Sequence, residues 1–181
     1  IYGGGQNRGV YIVDGDNNEI KGNEIYNNAW QGIELGGSAV SNRIEGNIIY
    51  NQNQNIYLYG NSVESAVISN NSLYGSGVKS LYVNSGKKHK IVANYITNNT
   101  GGNSIYVINA TNIEISHNII GNQSSVTGIW IGNSIVRLEL NSITNNAVGV
   151  YVGTGADITN VKNNIYGNST YNLQSAIAVS Y

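Results

Sequence analysis

The chain has 181 residues with nine Lys+Arg against ten Asp+Glu, a formal charge of −1, so nothing electrostatic invites DNA, RNA or an anionic membrane. It contains no Cys, which excludes disulfides, thiolate catalysis and Cys-ligated metals, and no apolar run approaches the roughly 18 residues of a membrane span. Pro, Met and Phe are also absent, while 32 Asn, 25 Ile, 23 Gly and 14 Tyr supply strand and turn formers in place of helix formers.

Read from the N terminus, Ile1-Tyr2-Gly3-Gly4 matches the segment from Ile25 to Asn28, one repeat later. A strand follows at Val10/Ile12, then a turn at Asp14-Gly15-Asp16-Asn17, a strand around Ile20, an Asn at 23 and a strand around Ile25. The same order then returns six times. The Asn recurs at Asn23, Asn47, Asn71, Asn94, Asn118, Asn141 and Asn164, in steps of 23 or 24 residues. Three residues before each stands an aliphatic (Ile20, Ile44, Ile68, Ile91, Ile115, Leu138, Val161), and two after stands Ile25, Ile49, Leu73, Ile96, Ile120, Ile143, then Tyr166. A further column reads Asn27, Asn51, Gly75, Asn98, Asn122, Asn145, Asn168. Each repeat opens on an alternating apolar pair, from Val10/Ile12 through Ile33/Leu35, Ile56/Leu58, Leu81/Val83, Ile105/Val107 and Ile129/Ile131 to Val150/Val152. Leu173 and Ile177 compete as the next equivalent of Val150.

Alternation marks strands with one buried face. Short strands repeating at 23–24 residues bury their apolar side chains only by stacking on the next repeat, which makes a β-solenoid. Stacking places equivalent residues about 4.8 Å apart, so each column becomes a ladder, and stacked Asn side chains bond one another rung by rung. Leucine-rich repeats share the period but need a Leu-rich helical segment that is missing here.

Segments such as Asn18-Glu19-Ile20-Lys21-Gly22-Asn23-Glu24-Ile25-Tyr26-Asn27-Asn28 and Gly128-Ile129-Trp130-Ile131 resemble the right-handed parallel β-helix repeats of NosD-like proteins and the pectate-lyase-like superfamily. The resemblance implies an all-β fold: a right-handed, single-stranded parallel β-helix of about 7.5 coils, one domain over residues 1–181, about 35 Å long. It says less about activity, because one fold hosts many chemistries. The Pro-containing Arg motif of pectate lyases, the paired Asp motifs of polygalacturonases and the Asp-Pro-His motif of mannuronan epimerases are all absent.

Two outward columns carry charge, pairing Glu19 with Arg43, Lys21 with Glu45, Lys90 with Glu114, Glu114 with Arg137 and Glu139 with Lys162. Alternating sign serves no anionic ligand, and these pairs read as register markers. A third column, Tyr11, Glu34, Tyr57, Tyr82, Tyr106, Trp130, Tyr151, forms an aromatic stripe, with a shorter one at Tyr2, Tyr26, Tyr50 and Tyr74. Cross-rung stacking, a platform for sugar rings and a protein–protein surface all fit such a stripe.

Candidate chemistry is sparse. Asp14 and Asp16 offer oxygen ligands for Ca²⁺, although Asp-Gly is first of all turn chemistry. Glu34 is the one acid in the stripe and shows no partner; Lys88 and His89, in Lys87-Lys88-His89-Lys90, read as a solvated turn tip, or as the base of a lyase or epimerase. His117 has no second ligand at metal spacing. Five Asn-x-Ser/Thr sequons, at Asn70, Asn98, Asn109, Asn122 and Asn168, weigh little in so Asn-rich a chain. The chain opens and closes in mid-repeat, which suits either a window of a longer β-helix or a subunit that stacks head to tail into a fibre. The reading that follows is a non-catalytic extracellular or cell-surface module, structural or adhesive, whose partner is itself, head to tail or laterally. Its alternative is a carbohydrate-active β-helix: a polysaccharide-binding wall, or part of a polysaccharide lyase or epimerase.

Overall fold

The computed structural model describes residues 1–2 and 7–176. Among them are twenty short strands and no helix, so none is long and apolar enough to cross a membrane. Every pairing between strands is parallel, and each coil contributes one strand to each of three faces. The long face is built from Arg8–Val13, Gln31–Gly36, Gln54–Tyr59, Lys79–Asn84 and Asn103–Ile108. The middle face begins with Glu19–Lys21, Arg43–Glu45, Val67–Ser69 and Lys90–Val92. The short face begins with Glu24–Tyr26, Ile48–Tyr50, Ser72–Tyr74 and Tyr95–Thr97. Towards the C terminus, Ile119–Gly132 and Ser142–Val152 run unbroken from short face to long face. The two faces therefore count as one 13-stranded sheet beside a seven-stranded middle sheet.

Each inward residue pairs with its equivalent one coil on. Val10, Ile33, Ile56, Leu81, Ile105, Ile129, Val150 and Leu173 form one such line, which settles the competition in favour of Leu173. Ile177 lies outside the described residues, as do Gly3 and Gly4. The core is aliphatic: Ile25, Ile33, Leu35, Ile44, Ile49, Ile56 and their equivalents are fully buried, each contributing about 1.5–3 kcal/mol by leaving water.

The Asn ladder runs as expected from Asn23 to Asn141. In each rung Oδ1 accepts both the backbone N–H and the side-chain Nδ2–H of the preceding Asn, as Asn94 does from Asn71 (both 3.0 Å). Nδ2 in turn donates to a core-strand carbonyl of the preceding coil, as Asn94 does to Ile68 O at 2.9 Å. The final rung departs from expectation. Asn141 bonds to Asn163 (2.8 Å) and not to Asn164, because the last coil is one residue short. Its middle strand is shifted accordingly, so Asn160 pairs with Leu138 and Val161 with Glu139. Lys162 sits in the turn at φ 51° and cannot pair with Glu139. Asn164 starts the next strand opposite Ser142. Asn163→Ala should therefore cost about 1–2 kcal/mol in chemical denaturation, with Asn164→Ala within about 0.5 kcal/mol of wild type; equal losses would overturn the shifted register.

A second ladder lies one residue beyond the Asn27–Asn145 column. Asn28 bonds to Gln52 (3.1 Å), Ser76 to Asn99 (2.8 Å), Asn99 to Gln123 (2.8 Å), Gln123 to Asn146 (2.9 Å) and Asn146 to Asn168 (3.0 Å). Asn27, Asn51, Asn98, Asn122 and Asn145 instead make the left-handed bend just before it, at φ between 52° and 59°, a conformation that Asn tolerates better than most residues.

Candidate functional site

The stripe residues share one register along the long face: Tyr11, Glu34, Tyr57, Tyr82, Tyr106, Trp130 and Tyr151. Their rings stack on one another. Tyr57 and Tyr82 lie 4.8 Å apart at 23°, Tyr106 and Trp130 4.3 Å apart at 9°, Trp130 and Tyr151 5.7 Å apart at 12°. At such separations the ring faces cover each other, and solvent meets mainly ring edges and hydroxyls. The row therefore offers an amphipathic wall of edges, and of the readings open to the sequence it shows cross-rung stacking. From Tyr57 to Tyr151 the stacking is interrupted once, between Tyr82 and Tyr106, whose planes meet at 82°. Glycine lets one ring lie close to the backbone: a Cβ on Gly132 would come within 2.4 Å of the Trp130 indole.

A column of amides and cations flanks the rings, from Arg8 through Gln31, Gln54 and Lys79 to Asn103. Gln31 donates to Gln54 at 3.0 Å, and on the other flank Asn84 donates to the Tyr57 hydroxyl at 3.2 Å. Lys79 Nζ lies 4.9 Å from the centroids of both Tyr82 and Tyr106. Burial lowers its pKa below that of an ordinary lysine and raises those of Tyr82 and Tyr106.

Glu34 departs from its expectation. It is 2% exposed and holds a two-pronged ion pair with Arg8, through Nε to Oε2 and Nη2 to Oε1. The same guanidinium lies 4.4 Å over the Tyr11 ring, whose hydroxyl is held above its ordinary pKa, chiefly by neighbouring Tyr59. Tyr59 stacks on Tyr57 at 5.5 Å, so the gap that Glu34 leaves in the stripe is closed from the neighbouring column. A carboxylate so engaged is a structural element of the wall and no free acid.

His89 corrects a second expectation: it is fully buried and no turn tip. Its Nδ1 accepts the Ala66 N–H at 3.2 Å, as Asn42 Oδ1 accepts the Asn18 N–H at 2.9 Å one coil-pair earlier. The imidazole is thus a rung in a third polar column, and burial lowers its pKa to about 4. Lys88 beside it is exposed but bonded to Glu64 at 2.7 Å, which also meets Lys87 at 3.2 Å. These contacts hold the Glu64 carboxyl below the usual carboxylate range, Lys88 first. Glu34 on the long face and Lys88–His89 in the turn before the middle face do not converge on any common point. Asp14 accepts from Ser38 N–H (2.7 Å) and Oγ–H (3.0 Å), and Asp16 from Val40 N–H (2.8 Å). The turn reading accounts for both, and among the described residues no three His, Asp or Glu gather as metal ligands.

The charge columns pair partly across and partly within rungs. Lys21–Glu45 (3.6 Å), Arg43–Glu19 (3.9 Å) and Lys90–Glu114 (3.5 Å) cross, while Arg43–Glu45 (2.5 Å) and Arg137–Glu139 (2.8 Å) stay within a strand. Two surface depressions follow this side. One of about 490 Å³ is lined by Ser65, Val67, Lys88, His89, Lys90, Asn112 and Glu114, and a neighbour of about 250 Å³ shares Asn112 and Glu114. Their cations, Lys88, Lys90 and Arg137, all meet carboxylates.

The periplasmic alginate epimerase AlgG shares this architecture at 17% identity and a TM-score of 0.76, over 94% of this chain and 48% of that one. The enzymatically active domain of bacteriophage CBA120 tailspike protein 2 does so at 12% identity and 0.78, over 88% and 27%. The A-module of Azotobacter vinelandii mannuronan C-5 epimerase AlgE4 does so at 15% and 0.73, over 91% and 58%. Identities this low speak for the fold alone, and the chain spans about half or less of the first two. No curated protein matches the sequence. The family described as the right-handed β-helix region matches residues 1–63 and 38–180, and the chain belongs to that family.

Proposed function

We propose that the long face is a polysaccharide-binding wall and that the protein acts as a carbohydrate-engaging β-helix outside the cytoplasm. The observation that carries this reading is the row of six Tyr/Trp rings in one register, flanked by Gln31, Gln54, Lys79 and Asn103. Ring edges and hydroxyls beside side-chain amides match the alternation of apolar and hydroxylated surface on a sugar chain. The wall runs along the axis in equal steps of about 4.8 Å, which suits a polymer better than a small molecule. Its structural neighbours, an alginate epimerase, a mannuronan epimerase and a tailspike domain, support the same class of ligand.

Binding is favoured over turnover, because Glu34, Lys88 and His89 are engaged in separate structural contacts and do not face one another. The test is a triple replacement of Tyr57, Tyr82 and Tyr106 by Ser, assayed by affinity electrophoresis in gels containing neutral or acidic polysaccharides. A fold that melts like wild type but binds at least about tenfold more weakly is the expected result. Undiminished binding would remove the wall reading. Loss of self-association without any glycan affinity in the wild type would favour the structural, adhesive alternative.

A further inference from the structure

The stripe has one singular point. Between Tyr82 and Tyr106 the stacking breaks to 82°, so here the two stacks no longer cover each other's facing rings. Lys79 stands at that break, with its amine 4.9 Å from each centroid. Its neighbours along the flanking column are Gln54 and Asn103, whose side-chain amides add neutral donors on either side. On the same face Arg8 is matched to Glu34, whereas Lys79 meets no carboxylate among the described residues. A half-buried ammonium held by ring quadrupoles alone has lost part of its hydration without gaining a counter-charge, and the missing counter-charge is an anion from outside.

We infer that Lys79, with Tyr82 and Tyr106, is the position on the wall that recognises an acidic sugar residue, through a carboxylate or a sulfate ester. This rests on the wall reading and refines it. The other long-face rungs present amides, hydroxyls and an internally neutralised ion pair, so one acidic residue per bound segment is read and the rest of the polymer is held by neutral contacts. Lys79 then sets specificity, the rings set affinity, and the preference for acid fades as salt screens a single charge pair.

The experiment uses the full chain with two pairs of probes, each at low and at raised salt: a uronate-containing polysaccharide and its carboxyl-reduced form, and dextran sulfate and dextran. Wild type is expected to bind the acidic member about tenfold more tightly than the neutral one. Lys79→Gln should bring that ratio to about one, and Lys79→Arg should retain most of it. Whichever pair shows the preference identifies carboxylate or sulfate. A Lys79→Gln protein that keeps the ratio, or a wild type that binds both members equally, overturns this inference and leaves the wall standing. A wild type that binds no polysaccharide overturns the wall, and the inference with it. The melting temperature of each variant, compared with wild type, separates lost recognition from lost fold.

Discussion

Asn94→Ala is expected to lower the stability of the fold by about 3–5 kcal/mol. Asn94 stands in the middle of the first ladder, fully inside the solenoid. Its Oδ1 is the acceptor for both donors of Asn71, and its Nδ2 reaches Ile68 O, Val92 O and Asn118 Oδ1. Truncation leaves the Asn71 N–H without its acceptor and removes a donor from Ile68 O, at about 1–3 kcal/mol for each buried group left unpaired. Losing the buried amide's packing adds to this. By contrast, breaking an exposed pair such as Lys21–Glu45 should cost under about 1 kcal/mol. Against a typical domain stability of about 5–15 kcal/mol, the ladder substitution decides whether the middle coils stay closed. Asn94→Asp is the sharper control: it keeps the acceptor oxygens, loses the Nδ2 donor and sets a carboxylate against Asn118 Oδ1. Urea denaturation, with hydrogen exchange at the Asn71 amide as a local readout, tests both. A loss below about 1 kcal/mol in either variant would mean that the turn re-closes without the side chain.

The second large effect is a loss of stability in mild acid that traces to His89. The fold needs this imidazole neutral, since Nδ1 accepts the Ala66 N–H and burial penalises the charged form, with nearby Glu64 opposing weakly. In the unfolded chain a histidine takes up its proton near pH 6.5; in the fold it does so only near about 4. Above pH 6.5 neither state holds the proton and stability is full. As pH falls from 6.5 to 4 the unfolded chain alone is protonated, and the fold loses about 3 kcal/mol. Glu45 and Glu64, held low by Arg43 and Lys88, add their own loss only once the ordinary carboxylate range is reached, so the interval between pH 6.5 and 5 belongs to His89. His89→Asn supplies the acceptor that Asn42 supplies in the same column, and should give a melting temperature nearly flat from pH 7 to 5. A variant as acid-sensitive as wild type would assign the effect elsewhere.

Much of the fold was legible in residue columns alone, because burial on one face of every strand forces equivalent positions to repeat chemically. The strand triplets, the apolar lines and the first ladder as far as Asn141 all follow from that constraint. What escaped detection breaks the column logic in identifiable ways. The shift to Asn163 comes from a single missing residue, and Val161 is apolar enough to pass for an inward residue at the wrong register. The second ladder accepts Asn, Gln and Ser, so no residue type repeats strongly enough to betray it. Arg8–Glu34 joins a residue of one column to the next coil's residue in another, a diagonal that column reading does not inspect. His89 stood one position before Lys90, where Asn18 and Asn42 stand before their own strands, and that alignment was the available signal for its burial. The aromatic stripe was visible as composition, but its stacking, and the break at Lys79, depend on side-chain torsions.

The corner between short and long faces carries a further consequence. The position facing the second ladder is small where the ladder holds an amide: Gly32 faces Gln52 with space for no Cβ (2.6 Å to Nε2), and Ser104 accepts from Gln123. Where the ladder shrinks to Ser76, the corner position grows to Asn55, which reaches across to Tyr74 O at 3.3 Å and to Ser80 Oγ at 2.9 Å. The large and small members of each such couple belong to the opening and closing ends of one coil. A gene duplication or coil exchange whose breakpoints fall in this corner carries both members together, while one that cuts elsewhere mismatches them. The protein's natural unit of modular growth is therefore the coil counted from corner to corner.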